Sequence, residues 1–242
     1  MKNIKKTVLA VSLLLGLNVS VQAATQGVDY ELQQPAFKQV QADNKVEVLE
    51  FFAYWCPHCA DLEPVIARHV KTFAADTYFR TEHVVWEPSR DVGFAVLAAA
   101  VNQTGLKDQA NAAIFQATVK ERKNLGEPDV FKKWVVEQKA FDGKKLLAAY
   151  ESFGAQTRAK KMAGFTEEYN IQSTPTVIVG GKYVVSFKNG YEQGMKTIDE
   201  LIQKVREERG LKTPAVKPQT EVQSAAPVIR SRGVGFANAA NR

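Results

Sequence analysis

The stretch that most limits the fold is Val46-Glu47-Val48-Leu49-Glu50-Phe51-Phe52, which runs almost directly into Cys56-Pro57-His58-Cys59. Those seven residues are β-rich and nearly continuously apolar. That is the pattern of a central strand buried on both faces. Asp61 to Val70 then carries a helical pattern, with Pro64 expected to kink it or interrupt its hydrogen bonding. Thr77 to Trp86 reads as a second strand. Strand, cysteine turn, helix and strand make a βαβ unit, and with it an α/β fold.

The periodicity changes after that unit. From Ser89 to Tyr169 the chain is helical in character. Phe94 to Val101 forms one apolar helix, and Ile114, Phe115, Thr118 and Val119 lie on one face of another. Phe131, Trp134, Val135 and Gln138 repeat the spacing, as do Leu146, Leu147 and Tyr150. These aromatic stripes are expected to be helix core. Strands return at Thr176–Val179 and Tyr183–Phe187, joined at Gly180-Gly181 as a hairpin. A last amphipathic helix is predicted over Met195–Arg209 and ends at Gly210. The expected organisation is a sheet-and-helix domain in two parts, 24–88 and 170–211, with a helical insertion at 89–169.

Both ends differ from this body. Lys2, Lys5 and Lys6 precede the short apolar run Val8–Leu17, and Val21-Gln22-Ala23 offers small residues for cleavage. Residues 1–23 therefore read as a secretory signal peptide, because a run of about ten apolar residues is too short to span a bilayer. Beyond Leu211 the composition shifts to Pro, Ala, Thr, Ser, Gln and Asn, and residues 212–242 read as a disordered tail. The net charge of +6 resides in these two ends and the body is near neutral. Without a basic cluster the body lacks the electrostatic footprint of nucleic-acid binding.

The chain has two cysteines, and export favours their oxidation. As a staple the pair is weak, because closing so short a loop removes little entropy from the unfolded chain. As a metal site it lacks ligands. Structural zinc needs four, and His58, His69 and His83 show no matching spacing. Thiol exchange asks for one acidified, accessible sulfur and a second within reach, and a Cys-x-x-Cys at a helix start supplies both. Free backbone N–H groups and the helix dipole favour a thiolate at Cys56. Pro57 gives up no hydrogen bond in the first turn, and His58 adds a positive charge or a donor beside the sulfur. Cys59 is placed to resolve a mixed disulfide. Lowering the Cys56 pKa by about three units favours the reduced form by roughly 4 kcal/mol, close to 90 mV for the two-electron couple.

Cys56-Pro57-His58-Cys59 after Glu50-Phe51-Phe52, the helical block, Ser173-Thr174-Pro175-Thr176 and Gln193-Gly194-Met195 occur in the order of one family. Over roughly Val28 to Arg209 the chain resembles the DsbA-type thiol:disulfide oxidoreductases of the thioredoxin superfamily. That family is a known extreme of cysteine acidification and oxidising potential. The resemblance implies a thioredoxin-like fold with an inserted helical domain. It makes Cys56 the nucleophile, Cys59 the resolving thiol and their disulfide the redox centre, with no separate cofactor or metal. It makes Pro175 a cis-proline facing that disulfide, with the backbone of Thr174 open to an extended substrate peptide. It makes Glu50 a buried acid that exchanges protons with Cys59, and Tyr54-Trp55 an apolar lip for unfolded substrates. A lysine often partners that acid in the family. Here the corresponding strand reads Phe79-Arg80-Thr81-Glu82-His83, so Arg80 or Glu82 is expected to alter the proton route.

The implied activity is periplasmic introduction of disulfides into unfolded exported proteins with free thiols. A DsbB-like inner-membrane partner would reoxidise a monomeric enzyme. A disulfide isomerase or reductase is one alternative, although such proteins commonly carry a dimerisation domain before the thioredoxin fold, and too few residues precede the first strand here. A periplasmic peptide-binding chaperone is the other.

Overall fold

In the computed structural model, the described residues are 23–33, 36–37, 44–212 and 214. The expected signal peptide, apart from Ala23, and nearly all of the expected tail lie outside them. Five strands form one mixed sheet: β1 (Tyr30–Leu32), β2 (Val46–Phe52), β3 (Thr77–His83), β4 (Thr176–Val179) and β5 (Tyr183–Val185), in the order β1-β5-β4-β2-β3. β2 pairs parallel with β3 and antiparallel with β4, and β5 joins β4 to β1 by antiparallel ladders. The central position of β2 explains its composition, since all seven of its residues are buried.

Helix α1 (Pro57–Val70) follows β2 after four residues and leads to β3. The helices α2 (Pro88–Thr104), α3 (Lys107–Phe115), α4 (Pro128–Val136), α5 (Gly143–Tyr150) and α6 (Phe153–Glu168) all lie between β3 and β4 in the chain, and α7 (Tyr191–Glu208) closes the fold. A π-helical stretch, Gln116–Lys120, continues α3. The core has two parts, divided by the alternation of β2. Val46 and Val48 pack with Leu62, Ile66, Ile198 and Leu201 of α1 and α7. Leu49 and Phe51 pack with the apolar faces of the helical block, including Phe94, Leu97, Ile114, Phe131 and Leu146. Trp134 and Tyr150 are buried there too.

Several boundaries differ from the sequence reading. β3 stops at His83 and not at Trp86, because Trp86 leaves the ladder to serve the site described below. α1 runs through Pro64 to Val70 without ending. β5 ends at Val185, and β1 was not anticipated. Three residues are too few to show a period, and β1 is defined by pairing with a strand about 150 positions away. Gly180 and Gly181 make the hairpin turn with φ of 63° and 70°, a conformation that favours glycine at both positions.

Candidate active site

The site forms where β2 hands over to α1. Cys56 is the N-cap of α1, with φ −85° and ψ 118°, and its sulfur accepts a hydrogen bond from the Cys59 N–H at 3.4 Å. Pro57 occupies the first turn, where its missing N–H costs nothing. Cys56 and Cys59 are free thiols, 5 % and 1 % exposed. The Cys56 thiol also lies 3.5 Å from the Thr174 carbonyl oxygen, in the loop before β4. The Thr174–Pro175 peptide bond is cis. Thr174 thus meets a sulfur 118 positions away in sequence.

The two sulfurs have opposite electrostatics. The Cys56 thiol is lowered from 9.0 to about 5. The main cause is the hydrogen bond with the Cys59 side chain. Burial opposes it, and further hydrogen bonds from Thr174 and from the backbone N–H groups of Cys59 and His58 assist it. Cys59 is pushed far up, chiefly by burial, then by its hydrogen bond to Cys56 and by the negative charges of Cys56 and Glu50. A thiolate therefore forms at the N-cap and not one turn inside the helix. His58 and Pro57 are exposed beside the sulfur. The hydrogen bond from residue 58 that lowers Cys56 comes from its backbone, and its carbonyl accepts a bond from the Tyr191 hydroxyl at 3.1 Å.

Glu50 is 2 % exposed, on the α1 side of β2. Burial raises its carboxyl from 4.5 to about 7, Lys107 opposes the rise, and Glu63 and Cys56 add to it. Arg80 and Glu82 do not take part. In the β2–β3 register Glu50 faces Thr81, while Arg80 and Glu82 face Leu49 and Phe51 and so project to the other side of the sheet. There Arg80 bonds Glu47 at 2.9 Å and also pairs with Glu82, which Arg158 contacts as well. The strand alternation sets this outcome.

The aromatic pair before Cys56 divides. Trp55 is half-buried and its ring lies 5.8 Å from that of Trp86, with the Arg90 guanidinium 4.3 Å over it. Tyr54 is not part of a lip. It is 1 % exposed, its hydroxyl donates to Asn111 Oδ1 at 2.8 Å, and Asn111 donates to Glu63 at 2.9 Å. Two further residues were not anticipated from sequence. The buried Asp91 accepts from Trp55 Nε1, from the N–H groups of Trp86 and Glu87, each at 2.9 Å, and from Arg90. Burial opposes its ionisation, yet Arg90 and the backbone donors hold it below the usual carboxylate range. His83 Nε2 accepts from the Tyr54 N–H at 3.0 Å while Nδ1 donates to the Val84 carbonyl at 2.7 Å, and burial lowers its pKa to about 4. The imidazole thus holds the backbone at Tyr54, and the carboxylate ties the Trp55 ring to the backbone at Trp86 and Glu87.

A groove of about 530 Å³ opens beside Cys56, lined by His58, Thr174, Pro175, Val184, Phe187 and Tyr191 among others. Gly194 permits its wall, since a Cβ there would meet the Phe187 ring at 2.4 Å.

This geometry is suited to dithiol exchange. Residues 41–204 match the family described as Thioredoxin. The thiol:disulfide interchange protein DsbA of Burkholderia cepacia is 30 % identical over 213 residues, covering 86 % of this chain and 100 % of that protein. The chain belongs to the DsbA family. The Pseudomonas aeruginosa member is 30 % identical over 210 residues, covering 85 % of this chain and 98 % of its own. The solved structure of reduced DsbA1 from Neisseria meningitidis is 53 % identical with a TM-score of 0.74, covering 78 % of this chain and 99 % of that one. Family membership and fold make the chain a protein disulfide oxidoreductase.

Proposed function

We propose that this DsbA-family chain is exported to the periplasm and introduces disulfides into unfolded exported proteins, with Cys56 and Cys59 as its redox pair. The observation that carries the reading is the unequal treatment of the two sulfurs, one lowered to about 5 and the other raised. A substrate thiolate attacks the Cys56 sulfur of the oxidised pair, the Cys56–Cys59 bond breaks, and Cys59 leaves with the electron pair and takes up a proton. A second substrate thiolate then attacks the substrate sulfur of the mixed disulfide. Cys56 departs as a thiolate, so the substrate gains a disulfide and the enzyme ends reduced. Because Cys56 is the more acidic thiol, it is the better leaving group in this second step.

The direction follows from the same difference. At pH 7 the reduced form gains only the interval between about 5 and 7, about 2.7 kcal/mol or roughly 60 mV toward the oxidising side, and solvent screening at the sulfur trims this further. The groove beside the Thr174–Pro175 loop supports an extended peptide as substrate, with Trp55 at the site's edge. A quinone-linked membrane partner of the DsbB type would return the pair to the disulfide. Equilibration with glutathione tests the reading. It predicts a potential well on the oxidising side of thioredoxin's roughly −270 mV, and a potential at or below that value favours a reductase. A Cys56→Ser/Cys59→Ser protein that still forms disulfides in a reduced secreted substrate contradicts it outright.

A further inference from the structure

Beneath the cysteines lies a charge question that the strand sequence leaves open. Glu50 is buried, and its neighbours across the ladders are Thr81 on β3 and Val177 on β4, neither of them charged. The groups whose charges bear on it are Cys56, Cys59, Glu63 and Tyr54, which are neutral or negative in every protonation state, and Lys107. A buried carboxylate among potential anions has no means of holding its charge unless a cation is supplied from elsewhere.

Lys107 is unusual on three independent counts. Its Nζ is out of solvent contact and has no hydrogen-bond partner among the described residues. It lies 4.2 Å from the centroid of the Phe79 ring, and Phe79 pairs with Val48, on the same face of β2 as Glu50 and two residues before it. It is also the first residue of α3, the positive end of the helix, where a cation is unfavourable. A surface lysine would extend into water and avoid burying an unpartnered ammonium. This one is held against the sheet, on the side where the acid sits.

We infer that Lys107, delivered by the helical insertion, is the cationic partner of Glu50 and, as a positioning residue, lets that buried carboxyl give and take the proton of Cys59. The inference rests on the oxidoreductase reading. When a substrate thiolate opens the disulfide, the Cys59 thiolate takes its proton from the Glu50 carboxyl, and the carboxylate left behind is stabilised by the Lys107 ammonium. When the pair is reoxidised, the proton returns from Cys59 to Glu50 as Cys59 attacks the mixed disulfide. Without the cation the carboxyl holds its proton too tightly to accept another at neutral pH, so the reoxidation half suffers first.

The test uses the full-length protein and the variants Lys107→Met, Lys107→Arg, Glu50→Gln and Lys107→Met/Glu50→Gln. The Glu50 carboxyl is titrated by carbon NMR in the reduced protein. Lys107→Met is expected to move its midpoint up by about one pH unit or more, and Lys107→Arg to return it toward the parent value. An unmoved midpoint in Lys107→Met overturns the inference. The pH profile of disulfide formation in the protein by oxidised glutathione gives the second readout. The profile should move with the Glu50 midpoint in Lys107→Met, and should be identical in Glu50→Gln and the double variant. A lysine effect that persists at full size in the Glu50→Gln background also overturns it, and so does a Lys107→Met protein that loses its fold while the double variant loses it equally. If the parent fails to exchange with glutathione at all, the functional reading fails, while the NMR midpoint still decides on the Lys107–Glu50 pairing.

Discussion

Two carboxylates on β2, three residues apart, are buried to the same degree and treated in opposite ways. Glu47 is 1 % exposed and Glu50 2 % exposed. Glu47 faces the helical block and is held by the Arg80 guanidinium at 2.9 and 3.3 Å, in a cluster that also contains Glu82 and Arg158. Glu50 faces α1 and accepts no hydrogen bond from another described residue, and only Lys107 works against its neutralisation. Two hydrogen bonds from Arg80 hold the first in place, whereas the second, raised to about 7, rests near neutrality, ready to change. A buried acid with a bidentate partner holds the fold together, while one with a single unbonded cation is suited to proton exchange.

The comparison breaks most visibly if the first acid loses its partner. Arg80→Met should cost about 3–5 kcal/mol in denaturant unfolding, because Glu47 stays buried without the guanidinium that pairs with it and Glu82 keeps only Arg158. The Cys56 titration should stay where it is, and a Cys56 midpoint that moves with Arg80 would mean that the two faces of the sheet are coupled.

Glu50→Gln should do the reverse. The folded carboxyl titrates at about 7 against 4.5 ordinarily, so between these values the native state keeps a proton that the unfolded chain releases. This group therefore weakens the fold as pH rises from 4.5 to 7, and its removal should stabilise the protein by about 3 kcal/mol above pH 7 and by little at about pH 4. The same substitution should slow the Cys59 steps by about 100-fold, a typical loss for a general acid or base. His83 has the opposite slope. It titrates at about 4 in the fold against 6.5, so its contribution is present above 6.5 and lost as pH falls toward 4. In the parent the two slopes oppose each other between 4.5 and 6.5. Glu50→Gln should therefore expose a rise in stability with pH in that window, measured as the difference from the parent in urea unfolding.

The smallest expected effect concerns Asp91. Asp91→Asn keeps the size but loses the anion that holds Arg90 over Trp55, and should cost about 1–3 kcal/mol. Its clearer signature is a change in tryptophan fluorescence with the Cys56 titration preserved. An unchanged emission spectrum would show that Asp91 does not hold Trp55 in place.

Much of the architecture was legible because it is written locally. The seven apolar residues of β2, the helix start at Cys56-Pro57, the Gly180-Gly181 turn and the amphipathic pattern of α7 each carry their own signal. The parts that were not legible depend on docking. β1 has only three residues and is defined by β5. Lys107 reaches β3 from an insertion whose placement the sequence does not reveal, and Asp91 gathers donors from Trp55 and Trp86 only once α2 has packed. Tyr54 read as a lip because it stands next to Trp55, yet successive residues point apart and one entered the core. Arg80 and Glu82 read as neighbours of Glu50 until the ladder register put them across the sheet.

The central claim is that the fold stabilises a thiolate at Cys56 and denies one to Cys59. The most direct test is a pH titration of thiolate ultraviolet absorbance in the reduced protein, with the oxidised protein as the blank. The account predicts one thiolate appearing with a midpoint at about 5 and no second step through neutral pH. A single midpoint near the ordinary 9.0, or two thiolates appearing together, would contradict it.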